Sequence, residues 1–132
     1  LDPACGCGNF LFVAYRELKE LECQIFDKMN ELSKATKRQR DKLHLGVSHI
    51  KTNQFYGLDI QPMAVEVAKM TMMIAKELVG ETYKKRTAEY SQAIEFEETL
   101  PLDNMDDNIL VRDALFDEWP AFDVVIGNPQ KK

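Results

Sequence analysis

Apolar residues recur at intervals of three and four positions in two stretches of the chain, a spacing that predicts two amphipathic helices. The first helix begins near Asn9 and frays in the polar stretch 33–42. Its predicted core face consists of Ala14, Leu18, Leu21, Ile25, Met29 and Leu32. The second runs from Pro62, which suits a first helical turn, to Val79, with Gly80 as its C-terminal stop. Its predicted inner side consists of Ala64, Val67, Ala68, Thr71, Ile74 and Ala75.

Short apolar and aromatic runs alternate with these helices and predict strands. They cover residues 54–60, 108–115 and 122–129, and the first residues of the chain resemble the end of a further strand. The run 122–129 is almost continuously apolar, which is typical of a strand buried on both faces. This alternation predicts an α/β fold, with a parallel sheet, helices on its faces and right-handed crossovers.

Composition narrows the class of protein. The chain has 132 residues, 45% of them hydrophobic, and a formal net charge of −5, so direct contact with a nucleic acid must be local or lie in parts not present here. We expect a cytoplasmic protein with no membrane contact, because the sequence contains neither a membrane-spanning apolar run nor a signal peptide. Three cysteines and two histidines lack a zinc-like spacing, so we expect reduced thiols and no metal site.

The candidate chemistry lies where the predicted strands end. In an open parallel sheet, ligands bind at the carboxyl ends of the strands. Polar or glycine-rich residues occupy these ends in residues 2–9, at Asp59, at Asp113 and at Asn128 with Pro129. The sequence therefore predicts that four strand ends converge on one site.

The glycine-rich residues suit a nucleoside-like ligand. Gly6 and Gly8 allow a tight turn and a close approach to the backbone, and the following helix directs its N-terminal amides to the same place. A dinucleotide motif would need a third glycine where the chain has Leu11. A phosphate-binding loop would need a Gly-Lys-Ser/Thr sequence, which does not follow.

Two acidic residues each allow two interpretations. Asp59 is suited either to accept both ribose hydroxyls of a nucleoside or to cap the helix that follows. Asp113 is suited either to accept a hydrogen bond from an adenine amino group or to form a turn.

The Asn128-Pro129 pair offers two carbonyl oxygens side by side, one on a side chain and one on the backbone. Two adjacent acceptors suit an exocyclic NH₂ group, because they draw its lone pair out of conjugation and toward an electrophile. An ordinary Asn-Pro turn after a strand is the alternative.

These motifs together resemble the N6-adenine DNA methyltransferases that use S-adenosylmethionine. The resemblance is greatest to the methylase part of large single-chain restriction-modification enzymes. "DPACGCGNFL" is similar to the family's cofactor motif, "YGLDI" to its ribose motif, "RDAL" to its adenine-contact motif and "DVVIGNP" to the start of its catalytic motif.

The resemblance implies a partial Rossmann-like class I methyltransferase fold and a residue assignment. The cofactor S-adenosylmethionine would contact Asp2, Pro3, Ala4, Cys5, Gly6, Gly8, Asp59, Ile60, Asp113 and Ala114. Asn128 and Pro129 would hold the amine of an adenine flipped out of the DNA duplex. The reaction would need neither a metal nor a covalent enzyme intermediate.

The sequence departs from that family at its end. After Pro129 the family has a proline and an aromatic residue that stacks on the flipped base, whereas this chain has Gln130, Lys131 and Lys132. Loss of stacking costs roughly 1–3 kcal/mol per base, so we expect the isolated chain to be inactive. We interpret residues 1–132 as a fragment with an incomplete first strand, truncated after the fourth, and without the later strands or target-recognition domain.

Two consequences and two alternatives follow from that interpretation. Double-stranded DNA would be bound through regions outside the fragment, and the apolar sheet edge at 122–126 predicts self-association. A methyltransferase acting on an RNA base or a protein glutamine is one alternative function. A non-catalytic cofactor-binding or scaffold module is the other.

Overall fold

The computed structural model describes residues 1–35, 48–87 and 105–128, without the side chains of residues 33–35 and 87. Its elements are helix α1 (Asn9–Ala35), a 3₁₀ turn (Thr52–Gln54), strand β1 (Gly57–Asp59), helix α2 (Pro62–Thr87) and strand β2 (Ile109–Val111). The predicted alternation is confirmed as a small α/β arrangement, although each strand is shorter than the apolar run that predicted it. Within these three ranges, no helix is long and apolar enough to cross a lipid bilayer.

The two strands pair in parallel, as predicted. Their register is Gly57 with Ile109, Leu58 with Leu110, and Asp59 with Val111. On the other side of β1, Asp2 forms an isolated parallel bridge to Gly57. The Asp2 N–H donates to the Tyr56 carbonyl at 2.8 Å, and the Leu58 N–H donates to the Asp2 carbonyl at 2.9 Å. The start of the chain therefore lies beside β1, opposite β2.

The strand predicted at 122–129 is not formed as a regular strand in its described part, residues 122–128. The segment does lie beside the start of the chain, because the Leu1 amine donates to the Val124 carbonyl at 2.8 Å and the Ile126 N–H donates to the Leu1 carbonyl at 2.9 Å. A ladder needs consecutive paired residues, and Leu1 is the single residue that pairs with it here.

The prediction that this segment is buried on both faces is also wrong. Val124 is 64% exposed and Phe122 is 48% exposed, whereas Ile126 packs against the core. No described element covers residues 122–125, so their side chains contact solvent. The spatial order across the sheet is therefore 122–128, residues 1–2, β1 and β2.

Helix α1 begins at Asn9 as predicted, but its predicted core face is correct only at Ala14 and Met29, which pack against buried clusters. The buried side chains are those of Leu11, Tyr15, Lys19, Glu22, Cys23 and Phe26. Leu18, Leu21, Ile25 and Leu32 are instead 41–58% exposed. Both faces carry apolar residues, so periodicity alone does not choose between them. Tertiary contacts decide which face of α1 is buried. Tyr15 packs edge-on against Phe55, and Cys23 and Phe26 cluster with Tyr83 of α2.

Helix α2 continues past Gly80 to Thr87, so the predicted stop is wrong. The additional turns are held by α1. Arg86 donates to Glu20 at 2.7 and 2.8 Å and to Asp27 at 2.8 Å. The predicted inner face of α2 is correct at Ala68 and Ala75 but wrong at Val67 and Ile74, whose side chains are exposed. Val65 and Met72 are buried instead.

A buried polar cluster attaches residues 48–50 to α1, ahead of β1. Lys19 donates to Ser48, whose hydroxyl donates to Glu22 at 2.9 Å, and the His49 and Ile50 N–H groups donate to the same carboxylate at 2.5 and 3.2 Å. Burial opposes ionisation of Glu22, but these hydrogen bonds and Lys19 hold the pKa of Glu22 below its ordinary value. The cluster fixes where the chain returns to the sheet.

Replacing Gly80 with alanine is expected to stabilise α2. A Cβ at Gly80 would meet nothing within 4 Å, so only the helix propensity changes. Alanine is favoured over glycine inside a helix by about 0.5–1 kcal/mol, which corresponds to roughly two- to fivefold slower local amide exchange. Hydrogen-exchange mass spectrometry of the full-length protein that carries this chain measures it. Unchanged or faster exchange around residue 80 would show that the helix does not continue there.

Candidate functional site

The glycine loop, residues 2–9, connects the chain start to α1 at the carboxyl edge of the sheet. Gly6 and Gly8 have φ angles of 50° and 81°, in the left-handed region that favours glycine. A Cβ on Gly6 would meet nothing within 4 Å, whereas one on Gly8 would be 3.1 Å from the Cα of Ala68. Gly8 therefore allows close packing on α2, and Gly6 leaves open space above the loop.

Cys5 has a side chain directed into the core. The Cys5 N–H donates to the Leu58 carbonyl at 2.9 Å, and a Cβ on Gly57 would be 2.9 Å from the Cys5 Sγ. Burial raises the pKa of the Cys5 thiol to about 12. Its thiol is therefore a neutral packing group, while Cys7, two residues on, is exposed.

The difference in burial between Cys5 and Cys7 predicts selective alkylation. Cys7 should react with iodoacetamide at pH 8 in the native protein, and Cys5 should react at least about a hundredfold more slowly, because burial and the scarcity of thiolate both protect it. Cys23 serves as a buried control, since burial raises its pKa to about 11. Tandem mass spectrometry separates Cys5 from Cys7. Equal labelling of the two would contradict the inward orientation of Cys5.

Asp59 joins the glycine loop to the end of β1. One carboxylate oxygen accepts the Gly6 N–H at 3.0 Å, and the other accepts the Gln61 N–H at 2.9 Å, next to the start of α2. The contact with Gln61 is an Asx turn directly before α2 and not a bond to an N–H of the helix's first turn, and the contact with Gly6 was not predicted. An ionised carboxylate has about four acceptor positions, so Asp59 retains capacity for further donors. Ile60, the next residue, is 65% exposed.

Asp113 forms the turn that follows β2. Its carboxylate accepts the Leu115 N–H at 2.9 Å, its own N–H donates to Asp117 at 2.7 Å, and the Ala114 carbonyl accepts the Trp119 indole N–H at 2.8 Å. These contacts are those of a turn, which is one of the two interpretations of Asp113, and they do not exclude a ligand role for it. The turn projects Leu115 and Phe116, which are 86% and 85% exposed and were missed by sequence reasoning. Their signal was two large apolar residues two positions after an acid at a strand end.

Asp2 is completely buried at the base of the site. Its Oδ1 accepts the Ala4 N–H at 3.1 Å, while its Oδ2 is buried without a hydrogen-bond partner in the described residues. Burial raises the pKa of Asp2 above its ordinary value. Pro3 is half-buried and Ala4 is exposed. A buried acceptor without a donor in a native structure marks a place where a ligand or an ion can supply one.

Gly127 brings the 122–128 segment against Asp2. It has a φ of 149°, and a Cβ there would be 2.6 Å from the Asp2 Oδ1. Asn128, the next residue, is exposed. Pro129 lies outside the described residues. Of the predicted site residues, the structure therefore joins Asp2, Gly6 and Asp59 by contact or through the loop, and Asn128 follows a residue that touches Asp2.

The neighbouring strand ends also meet a topological condition. Residues 1–2 lie between β1 and the 122–128 segment, so the connections run in opposite directions along the sheet from this point. Ligand sites of open α/β sheets lie at such a switch point. A separate groove of about 380 Å³ lies between α1 and α2 and is lined by Phe12, Cys23, Leu78, Val79 and Tyr83 among others. None of the predicted site residues lines that groove.

Residues 1–130 match the sequence profile of a family described as "MmeI, DNA-methyltransferase domain". DNA methyltransferase A of Bacillus subtilis (strain 168) is 36% identical over 118 residues, which are 89% of this chain and 12% of that protein. A Methanocaldococcus jannaschii protein that carries the name of a type II restriction enzyme and methyltransferase is 36% identical over 75 residues, 57% of this chain and 6% of that protein. The chain thus spans a small part of either relative. No solved structure shows significant similarity to it.

Proposed function

This chain belongs to the family of MmeI DNA-methyltransferase domains, and from that premise we propose that it transfers a methyl group from S-adenosylmethionine to the N6 amine of adenine in DNA. The reaction would serve restriction-modification, consistent with the name of the Methanocaldococcus relative. The observation that carries the proposal is the meeting of the glycine loop, Asp59 and the Asn128 segment at one edge of the sheet. In this proposal the sheet is part of a class I methyltransferase fold.

The residues present fit S-adenosylmethionine. The open space above Gly6 accommodates a ligand against the loop backbone, and the buried, unpaired Oδ2 of Asp2 can accept from the amino group of the cofactor's amino-acid end. Pro3, Ala4, Cys5 and Gly8 shape the loop around it. A carboxylate that keeps acceptor positions, as Asp59 does, suits the two ribose hydroxyls.

The adenine of the cofactor would lie beyond the ends of β1 and β2. Ile60 and Phe116 present exposed apolar side chains at these neighbouring strand ends, which suit the two faces of a purine. Asp113 and Ala114, in the turn that follows β2, would provide the polar contacts to the edge of the adenine ring.

The target amine would be held by Asn128 and by the Pro129 carbonyl. When bound, S-adenosylmethionine supplies an electrophilic methyl group on a positively charged sulfur. The Asn128 side-chain oxygen would accept one N–H of the amine and localise the nitrogen lone pair for attack on the methyl carbon. The carbon–sulfur bond would break as the carbon–nitrogen bond forms, S-adenosylhomocysteine would leave, and the displaced amine proton would pass to solvent. Positioning of this kind converts a bimolecular encounter into an oriented reaction within one site.

Contact with DNA would depend largely on other parts of the full-length protein. The chain carries a net charge of −5, whereas phosphate binding rests on Lys and Arg. The base must also leave the duplex before its amine can reach Asn128. We therefore propose that regions outside this domain bind the duplex and that this domain catalyses the methyl transfer.

Analysis of the methylated product tests the proposal. The full-length protein that carries this chain is incubated with methyl-labelled S-adenosylmethionine and unmethylated DNA, RNA or protein, and the products are digested to nucleosides or amino acids. We expect label in N6-methyldeoxyadenosine alone. Label in an RNA nucleoside or in methylglutamine would replace the proposal with one of the alternative substrates, and absence of transfer to every substrate would favour a non-catalytic module.

A further inference from the structure

The contact between Asp2 and Gly127 joins the two halves of the site. The Oδ1 and Cγ of Asp2 lie 2.6 and 3.3 Å from the position that a Gly127 Cβ would take, so the carboxylate fills the space of a side chain. The φ of 149° at Gly127 is a second reason for glycine there. Asp2 and Gly127 therefore fit one another only while the carboxylate stays in place and residue 127 has no side chain.

Hydrogen bonds on both sides make this contact rigid. The Ile126 N–H donates to the Leu1 carbonyl at 2.9 Å, which fixes the residues that precede Gly127 and Asp2 relative to each other. On the opposite side, the Asp2 backbone is bonded to Tyr56 and Leu58 next to β1. The Asp2 side chain thus lies on a fixed backbone between the glycine loop and the Asn128 turn, residues 126–128.

We infer that Asp2 is a positioning residue for Asn128, because its carboxylate transmits the conformation of the glycine loop to the Asn128 turn through Gly127. This inference rests on the proposed function and goes beyond it, since it couples the cofactor side of the site to the target side. The unpaired Oδ2 supports it. A donor that engages Oδ2 would orient the same carboxylate whose Oδ1 abuts Gly127.

The coupling predicts that a side chain at position 127 weakens cofactor binding without DNA. In the full-length protein that carries this chain, Gly127→Ala pushes the Asp2 carboxylate aside and should weaken S-adenosylmethionine binding about tenfold or more by titration calorimetry. Asn128→Ala lies one residue away and should change the affinity less than about twofold. Gly80→Ala, in open space on α2, is the matched glycine control and should also leave it unchanged.

A double-mutant cycle separates contact from general damage. Asp2→Ala should itself weaken cofactor binding, and it removes the group that a methyl side chain at position 127 would strike. The double variant Asp2→Ala/Gly127→Ala should therefore bind no more than about two- to threefold more weakly than the worse single variant. Effects that multiply in the double variant would overturn the inference while leaving the proposed function intact. A wild-type protein that does not bind S-adenosylmethionine would instead contradict the proposed function.

Asp2→Ala provides the second measurement if Gly127→Ala does not fold, because it removes the carboxylate that fills the space beside Gly127. We expect methyl transfer at saturating S-adenosylmethionine to fall about tenfold or more in this variant, because Asn128 is misplaced even when the cofactor is bound. Asp2→Asn keeps the shape of the side chain and should therefore lose less of kcat than Asp2→Ala. A variant with a raised KM for the cofactor and an unchanged kcat would show that Asp2 acts on cofactor binding alone, and would overturn the coupling.

Discussion

Asn128→Ala is expected to lower methyl transfer by the full-length protein roughly 10²–10³-fold while leaving S-adenosylmethionine binding within about twofold of wild type. The large loss follows from the proposed mechanism, in which the Asn128 oxygen would act on the amine as its lone pair becomes reactive, whereas the cofactor would contact the glycine loop and Asp59. Single-turnover methylation of DNA with labelled cofactor measures the rate, and titration calorimetry measures the affinity. The pair of results assigns Asn128 to the chemical step.

Two further variants make that assignment specific. Asn128→Asp keeps an oxygen acceptor and should retain more activity than Asn128→Ala. Asn30→Ala, on α1 and about 30 Å along the helix from the glycine loop by helical rise, is the matched control and should be as active as wild type. Asn128→Ala at near wild-type rate would show that Asn128 forms only a turn.

Asp59→Ala is expected to weaken S-adenosylmethionine binding about a hundredfold or more. Hydrogen bonds to a charged group contribute about 1.5–3 kcal/mol each, and the ribose offers two hydroxyls. Titration calorimetry on the full-length protein measures the change. Asp107→Ala is the matched control, because Asp107 is an exposed acid that precedes β2 and so lies at the amino edge of the sheet, opposite the site.

Asp59 also braces Gly6 and Gln61, so loss of affinity alone does not identify a ribose contact. An S-adenosylhomocysteine analogue without the ribose 2′-hydroxyl makes the distinction. Wild type should bind the analogue about tenfold more weakly than S-adenosylhomocysteine, and Asp59→Ala should bind the two compounds equally. If the variant discriminates as well as wild type does, Asp59 braces the glycine loop and the turn before α2 without holding the ribose.

Local chemistry made part of the fold predictable. The start of α1 at Asn9 follows from glycines directly before an apolar-periodic run, and the start of α2 follows from Pro62. Parallel pairing of β1 with β2 follows from helices between strands. The two helix starts depend on residues close together in sequence, and the parallel pairing follows from the general geometry of a strand-helix-strand connection, so the sequence is sufficient to predict them.

Other features depended on distant contacts and were predicted wrongly. The core face of α1 was decided by Phe55 and Tyr83, far along the chain, against an alternative face that is equally apolar. Gly80 did not end α2, because Arg86 binds two acids of α1 and holds the following turns in place. Exposure of residues 122–125 likewise depends on which elements cover them, which their own composition does not specify.

The candidate site divides in the same way. The positions of Asp59, Asp113 and Asn128 after apolar runs indicated a site at strand ends. The burial of Asp2 against Gly127 and the link from Asp59 to Gly6 were not predictable, because each joins residues more than fifty positions apart. The glycine of "VIGNP" was itself a signal, since a glycine directly before an Asn-Pro pair marks backbone that a side chain would obstruct.

The most direct test of one shared site at the strand ends is a structure of the full-length protein bound to S-adenosylhomocysteine. We predict that the ligand lies across the glycine loop, with its ribose at Asp59, its adenine between Ile60 and Phe116, and its sulfur facing Asn128. Ligand bound in the groove between α1 and α2, or at any position that leaves Gly6 and Asp59 without contact to it, would contradict the account.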